Sequence, residues 1–143
     1  MTTGGRCGHD AAVTDSTDDF DRHYRLVGHP ALMRAESRVI GADYGATSYT
    51  TKAQADGLAR SLDLQPNSML LDVGSGAGWP GIYLAAATGC RVVLSDVPLD
   101  GLRAASNRIG EDGISGDIVA AAGGGLPFRD RVFDAVTSSD VLC

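Results

Sequence analysis

The sequence predicts an α/β fold, a partial doubly wound parallel sheet of about four strands with a helical segment in front of it. Three observations carry this reading. Short apolar runs at residues 69–73, 91–96, 117–121 and 133–137 alternate with helix-length stretches, as buried parallel strands joined by right-handed crossover helices do. The first run opens directly into three glycines, Gly74, Gly76 and Gly78, spaced by small residues. The first two runs each carry an acid near their C-terminal end, Asp72 and Asp96.

Residues 1–19 are rich in Gly, Thr, Ser and Asp, and Val13 is their only large aliphatic after Met1. Such a segment buries too little to offset its ordering entropy and reads as a disordered tail. Order is expected from Phe20. This divides the chain into a tail (1–19), an N-terminal helical cap (20–66) and a sheet-bearing part (67–143). Residues 21–26 read as a short helix. Pro30 suits a first helical position. The helix it opens ends near Gly41, with Leu32, Ala35 and Val39, or Ile40, as its apolar stripe. A loop over 42–50 carries Tyr44 and Tyr49. Thr51 and Gln54 form a capping box for a helix whose inward face is Ala55, Leu58, Ala59 and Leu62. Gln65-Pro66-Asn67 stops it.

Beyond the glycine turn, Pro80 starts a helix to about Thr88, with Gly89 as its stop. Residues 91–96 form the second strand. Pro98 opens a helix through about Ile109, with Leu99, Leu102, Ala105 and Ile109 facing inward, and residues 110–116 are a turn region. Residues 117–121 make a weaker third strand, Gly123 to Gly125 a flexible link, and 133–137 a fourth strand.

Composition narrows the partners. The formal charge is −6 and the 12 basic residues are scattered, so no stripe for nucleic-acid phosphates is visible. No apolar run approaches the ~18 residues needed to cross a bilayer, and the first ten residues lack the apolar core of a secretory signal. Cys7, Cys90 and Cys143 are odd in number and far apart. They suit free thiols in a reducing cytoplasm. Cys7 with His9 is too small a set for a metal site, so no metal is expected.

Glycines at the turn let a ligand approach the backbone, and the following helix offers a positive dipole end. Two spacings fit. Gly76-x-Gly78-x-x-Gly81, with Asp96 lying 20 residues past Gly76, fits the dinucleotide fingerprint and an NAD(P)-dependent oxidoreductase. Asp72-x-Gly74-x-Gly76-x-Gly78 resembles the first motif of class I S-adenosylmethionine-dependent methyltransferases. The second is favoured, because an acid here can hold the cationic amino group of a methionine moiety and would repel a pyrophosphate. A P-loop is excluded, since no Gly-Lys-Ser/Thr follows. A glycine turn with a purely structural role is the third reading.

A second match is independent of the first. Residues 126–136, LPFRDRVFDAV, resemble the LPF-x-D-x-x-FDAV element that leads into the fourth strand of many small-molecule methyltransferases. The resemblance covers about residues 67–143. It implies a Rossmann-like fold, S-adenosylmethionine as cofactor and a small-molecule methyl acceptor. It further implies that Asp72, Gly74, Ser75, Gly76 and Gly78 contact the methionyl part, Asp96 the ribose and Val97 the adenine face, with Ser138 near the methionyl or methyl group. Asp96 has a competing use as a cap for the helix that starts at Pro98. Methyl transfer is an in-line displacement that rests on proximity and alignment, and no residue is singled out as a catalytic base. Tyr44, Tyr49 and Thr50 are candidate lid contacts, with packing as their alternative. His23 and His29 read as surface residues, Trp79 as a packing residue, and Asp140 lies near the expected active-site edge.

Two departures stand out. The family usually has an acid after the third strand that binds the adenine amino group; that position here is Ala122. Full members also carry further helices and about three more strands beyond the fourth. Without them the fourth strand is an edge with an uncovered apolar face, where self-association or a partner is expected. This motivates the rival reading of a non-catalytic cofactor-binding remnant or a partner-completed fragment.

Overall fold

The computed structural model describes residues 19–45, 48–139 and 141. The expectations for the tail, for Cys7 and His9, for Asp140 and for Cys143 lie outside the described residues.

Two helices open the chain, α1 (residues 19–24) and α2 (Pro30–Val39). Pro30 sits in the first turn of α2, and His29 caps it, Nδ1 accepting from Ala31 N at 3.3 Å. Next comes α3 (Lys52–Ser61) with both arms of its capping box formed: Thr51 Oγ1 accepts from Gln54 N, and Gln54 Oε1 from Thr51 N. The rest alternates as β1 (Met69–Val73), α4 (Gly81–Thr88), β2 (Arg91–Asp96), α5 (Leu99–Asp112), β3 (Gly116–Ala120), a 3-10 turn (Gly123–Gly125) and β4 (Ala135–Thr137). The strands form one parallel sheet in the order β3-β2-β1-β4.

One face of that sheet is the core. Leu70, Val92 and Leu94 pack with Ile82, Leu84 and Ala85 of α4 and with Ala105 of α5, all fully or almost fully buried. Each large side chain there contributes about 1.5–3 kcal/mol relative to exposure. Leu58 and Ala59 of α3 and Leu62 at its C-terminal cap lean on the same cluster, as the capping-box helix predicts. A smaller cluster of Ile40, Ala55 and Trp79 fixes the helical cap to the glycine turn.

Several elements differ from expectation, each for a local reason. The stripe of α2 is not buried: Val39 is 73% exposed, and Ile40 at the helix end turns inward instead. Leu99 is 48% exposed, because α5 meets the sheet only from Leu102 onward. That helix runs through Gly110 to Asp112 and stops at Gly113, which takes the left-handed φ of +64°. A mid-helix glycine costs only about 1 kcal/mol, whereas a left-handed stop favours glycine strongly. β4 is two residues shorter than expected. Phe133 leaves the ladder to meet Phe128 edge-to-face at 4.9 Å, and Asp134 closes onto Met69, its N–H donating to Met69 O and its carboxylate accepting from Met69 N. Val136 is 59% exposed. Among the described residues β4 stands at one end of the sheet, beside β1.

Close packing joins α4 to the sheet at Gly81. A Cβ at Gly81 would lie 2.6 Å from Asp72 Oδ2 and 2.8 Å from Leu94 Cδ2. Gly81→Ala is therefore expected to lower stability by about 1–3 kcal/mol through overpacking, measured as a shifted midpoint in urea unfolding. An unchanged midpoint would mean that α4 slides freely on β1.

Candidate functional site at the glycine turn

The turn between β1 and α4 is tied down by the end of β2. Ser95 O accepts from both Gly74 N (2.7 Å) and Ser75 N (3.1 Å), and Ser75 O accepts from Gly78 N at 2.7 Å. Asp96 Oδ2 accepts from Gly76 N at 2.6 Å. Gly74, Gly76 and Gly78 all adopt positive φ, +71°, +51° and +99°, the conformation for which glycine is the ordinary choice.

Asp72 lies beneath the turn, 1% exposed. Its Oδ1 accepts from Thr137 Oγ1 at 2.8 Å and its Oδ2 from Gly81 N at 3.1 Å. Burial raises its pKa to about 6; the two hydrogen bonds pull it down and the nearby Asp96 charge adds to the rise. The carboxylate thus spends two acceptor sites inside the protein, on β4 and on the start of α4. Thr137 was not singled out from sequence. Only the β1–β4 register, which sets Thr137 opposite Asp72, reveals it.

Asp96 is half-buried, and burial raises its pKa against two backbone amides, Gly76 N and Val97 N, that lower it. It does not cap α5. The first helical residues of α5 receive no side chain from Asp96 or Pro98; instead Asp100 N donates to Asp21 Oδ1 at 3.0 Å. Val97 is 43% exposed beside Asp96. Ser138 is exposed and directly follows Thr137 at the end of β4. Val141 comes back over the turn, so that a Cβ at Gly74 would collide with it. The structure therefore gathers Asp72, Gly74 to Gly78, Asp96, Val97 and Ser138 at the carboxyl ends of β1, β2 and β4.

One polar atom has no use in the fold. Ser75 Oγ is buried, and among the described residues it is the buried side-chain oxygen without a hydrogen-bond partner. A buried hydroxyl left unpaired costs about 1–3 kcal/mol.

Trp79 and Tyr44 are absorbed by packing. Trp79 is 3% exposed, packs in tilted contact with Tyr44 and Tyr83, and donates from Nε1 to Thr50 O at 2.8 Å. Tyr44 also carries the Arg108 guanidinium 4.2 Å above its ring. Tyr49 is 84% exposed and, with His23, lines a groove of about 540 Å³ along α1 and α2. None of the groove's lining residues belongs to the glycine turn. Cys90 is a buried free thiol. Among the described residues there is no cluster of side chains that could hold a metal, and no helix is long and apolar enough to cross a membrane.

Residues 70–143, more than half of the chain, match the family described as methyltransferase domain. The chain belongs to that family. This methyltransferase-family chain is 35% identical over 105 residues to a demethylmenaquinone methyltransferase of Corynebacterium urealyticum, a match over 70% of this chain and 43% of the relative. It is 37% identical over 133 residues to a sarcosine/dimethylglycine N-methyltransferase of Halorhodospira halochloris, covering 87% of this chain and 45% of the relative. It spans less than half the length of these curated relatives. Its fold is similar to that of an S-adenosylmethionine-dependent methyltransferase from Geobacter sulfurreducens in complex with S-adenosyl-L-homocysteine. That match has a TM-score of 0.57 at 22% identity, over 64% of this chain and 37% of that one. Family membership sets aside the oxidoreductase reading of the turn.

The pH dependence of stability carries the signature of Asp72. Its folded pKa of about 6 lies above the ordinary value of 3.8, so the folded state holds the proton more tightly. The associated stability is complete below pH 4 and is lost as pH rises to about 6, on the order of 3 kcal/mol. Asp72→Asn should remove that loss, so the variant's stability relative to wild type grows between pH 4 and 7 in chemical unfolding. A constant difference across that range would show that the carboxylate titrates normally.

Proposed function

We propose that this chain forms the cofactor-binding part of an S-adenosylmethionine-dependent methyltransferase acting on a small molecule. Residues 20–66 serve as a helical cap and 67–143 as the cofactor-binding portion. The unpaired Ser75 Oγ carries this reading: a buried hydroxyl sits in a glycine turn flanked by two acids, in a chain of the methyltransferase family. The turn suits a nucleoside with a cationic amino-acid tail better than a pyrophosphate. Four of its backbone N–H groups are already bonded within the protein, and its two acids are anionic or partly so.

When bound, the cofactor supplies an electrophilic methyl group on a sulfonium. The chain's own residues bind and orient. Ser75 Oγ donates its free hydrogen to a cofactor oxygen. Asp96, which has acceptor sites left beyond the two taken by Gly76 N and Val97 N, accepts from the ribose diol. Val97 offers the adenine an apolar surface. Asp72 reaches the methionyl ammonium only through acceptor sites that Thr137 and Gly81 leave free, and it holds the turn in shape as well. Ala122, which stands where an acid would bind the adenine amino group, lends only backbone. The named acceptors of the two curated relatives, demethylmenaquinone and sarcosine or dimethylglycine, support a small-molecule acceptor. A cytoplasmic setting suits the free Cys90 thiol. The open side of β4, with Val136 exposed, is where a second copy or a partner completes the sheet in this reading.

Titration calorimetry with S-adenosylhomocysteine, with NAD as control, tests the cofactor. Micromolar binding of the first and none of the second is expected. Ser75→Ala separates function from folding. It should leave stability unchanged or raise it by about 1 kcal/mol, because an unpaired buried hydroxyl is removed, while weakening S-adenosylhomocysteine about tenfold. Unchanged affinity would move the ligand away from this turn.

A further inference from the structure

We propose that Tyr24 closes the nucleoside end of this site, and that docking of α1 and binding of the cofactor are coupled through it. The proposal rests on the S-adenosylmethionine reading above. Tyr24 is the residue of α1 that the fold buries: it is 7% exposed, whereas Phe20 on the same helix is 48% exposed. Its seat is made of two glycines. A Cβ at Gly101 would lie 3.0 and 3.1 Å from the ring edge, and a Cβ at Gly76 would collide with the phenol oxygen. Gly76 is the residue whose N–H is bonded to Asp96 Oδ2, and Gly101 lies in the first turn of α5, just past Asp96 and Val97. The ring therefore bridges the two backbone segments that flank the ribose-binding carboxylate.

The same helix supplies what α5 lacks. Pro98 gives α5 no side-chain cap, and Asp21 Oδ1 takes the Asp100 N–H in its place at 3.0 Å. Arg25 Nε donates to Asp100 Oδ2 at 2.8 Å, and Arg103 Nη1 to Asp100 Oδ1 at 2.7 Å. The Arg25 side chain is 71% exposed, so solvent screens that pair and it holds α1 only weakly. A short helix at the edge of the described residues, whose ion pair to α5 is exposed, belongs to the low-stability end of a structure, where ligand binding is felt first. A nucleoside on Asp96 adds surface for Tyr24 to cover. By linkage, whatever binding the cofactor gains from α1, α1 gains in order from the cofactor.

The test uses the full chain and S-adenosylhomocysteine as probe. Amide hydrogen exchange over residues 19–27 should slow at least threefold when the probe is bound. Tyr24→Ala and Asp21→Ala should each weaken the probe about tenfold, within the usual range of such couplings. Tyr24→Phe, which keeps the ring on both glycines, should stay within about threefold of wild type. Unchanged exchange over 19–27 in a wild-type chain that binds the probe overturns the proposal, and this holds even if Tyr24→Ala fails to fold. So does a folded Tyr24→Ala variant with wild-type affinity when Ser75→Ala has lost it, an outcome that leaves the cofactor reading standing. Failure of the wild-type chain to bind removes that reading and this one together.

Discussion

Asp72 Oδ1 takes the Thr137 hydroxyl and Asp72 Oδ2 takes the Gly81 amide, and through these two bonds one buried carboxylate joins β1, β4 and the first turn of α4. Burying a carboxylate is costly unless it is hydrogen-bonded. The fold meets that cost with a hydroxyl on the neighbouring strand and a helix N-terminus, whose positive dipole end favours an anion. Other sequence choices follow. Position 81 must be glycine because α4 comes down directly onto this carboxylate. Position 137 needs a short side chain with a donor, and threonine satisfies that while keeping a β-branched strand residue.

Above this anchor, the glycine turn is accounted for almost atom by atom. The carbonyl of Ser95 and the carboxylate of Asp96 take three successive amides, from Gly74, Ser75 and Gly76. A turn with its amides so engaged makes a poor cradle for a phosphate, which relies on free N–H groups. It still leaves small backbone surfaces, an unpaired hydroxyl on Ser75 and two acids. These suit a nucleoside that carries a positive charge. The fold, common to many chemistries, would not have distinguished these cases.

The helical cap is coupled to this turn by aromatic contact. Trp79, within the turn, packs between Tyr44 and Tyr83 with its ring tilted to both, and donates to Thr50 O. Tyr83 in turn donates to Asp56 and accepts from Lys52 of α3, and Arg108 of α5 lies over Tyr44. The loop between α2 and α3 thus rests on the element that would face the cofactor. Among the described residues no such aromatic contact covers Val136 of β4, which stays exposed.

Much of the architecture was legible in the sequence. The apolar runs, the Thr51–Gln54 capping box, the glycine stop at Gly89 and the acids ending β1 and β2 placed every strand within two residues and gave a parallel sheet. Such signals are local: period, caps and φ preference act over a few residues. What failed was also local, as with α2, whose apolar stripe has the right period but faces an open groove. Periodicity says that a face is apolar, not what covers it. The partners were decided by tertiary structure alone. That Asp72 is held by Thr137, that Asp21 rather than Asp96 caps α5, and that Tyr24 rests on Gly76 and Gly101 join residues 65, 79 and at least 52 positions apart respectively. The sequence by itself determined which residues form the strands and the turn, because those depend on near neighbours. Only the folded chain decided which side chains meet there, because sheet order and register set those distances.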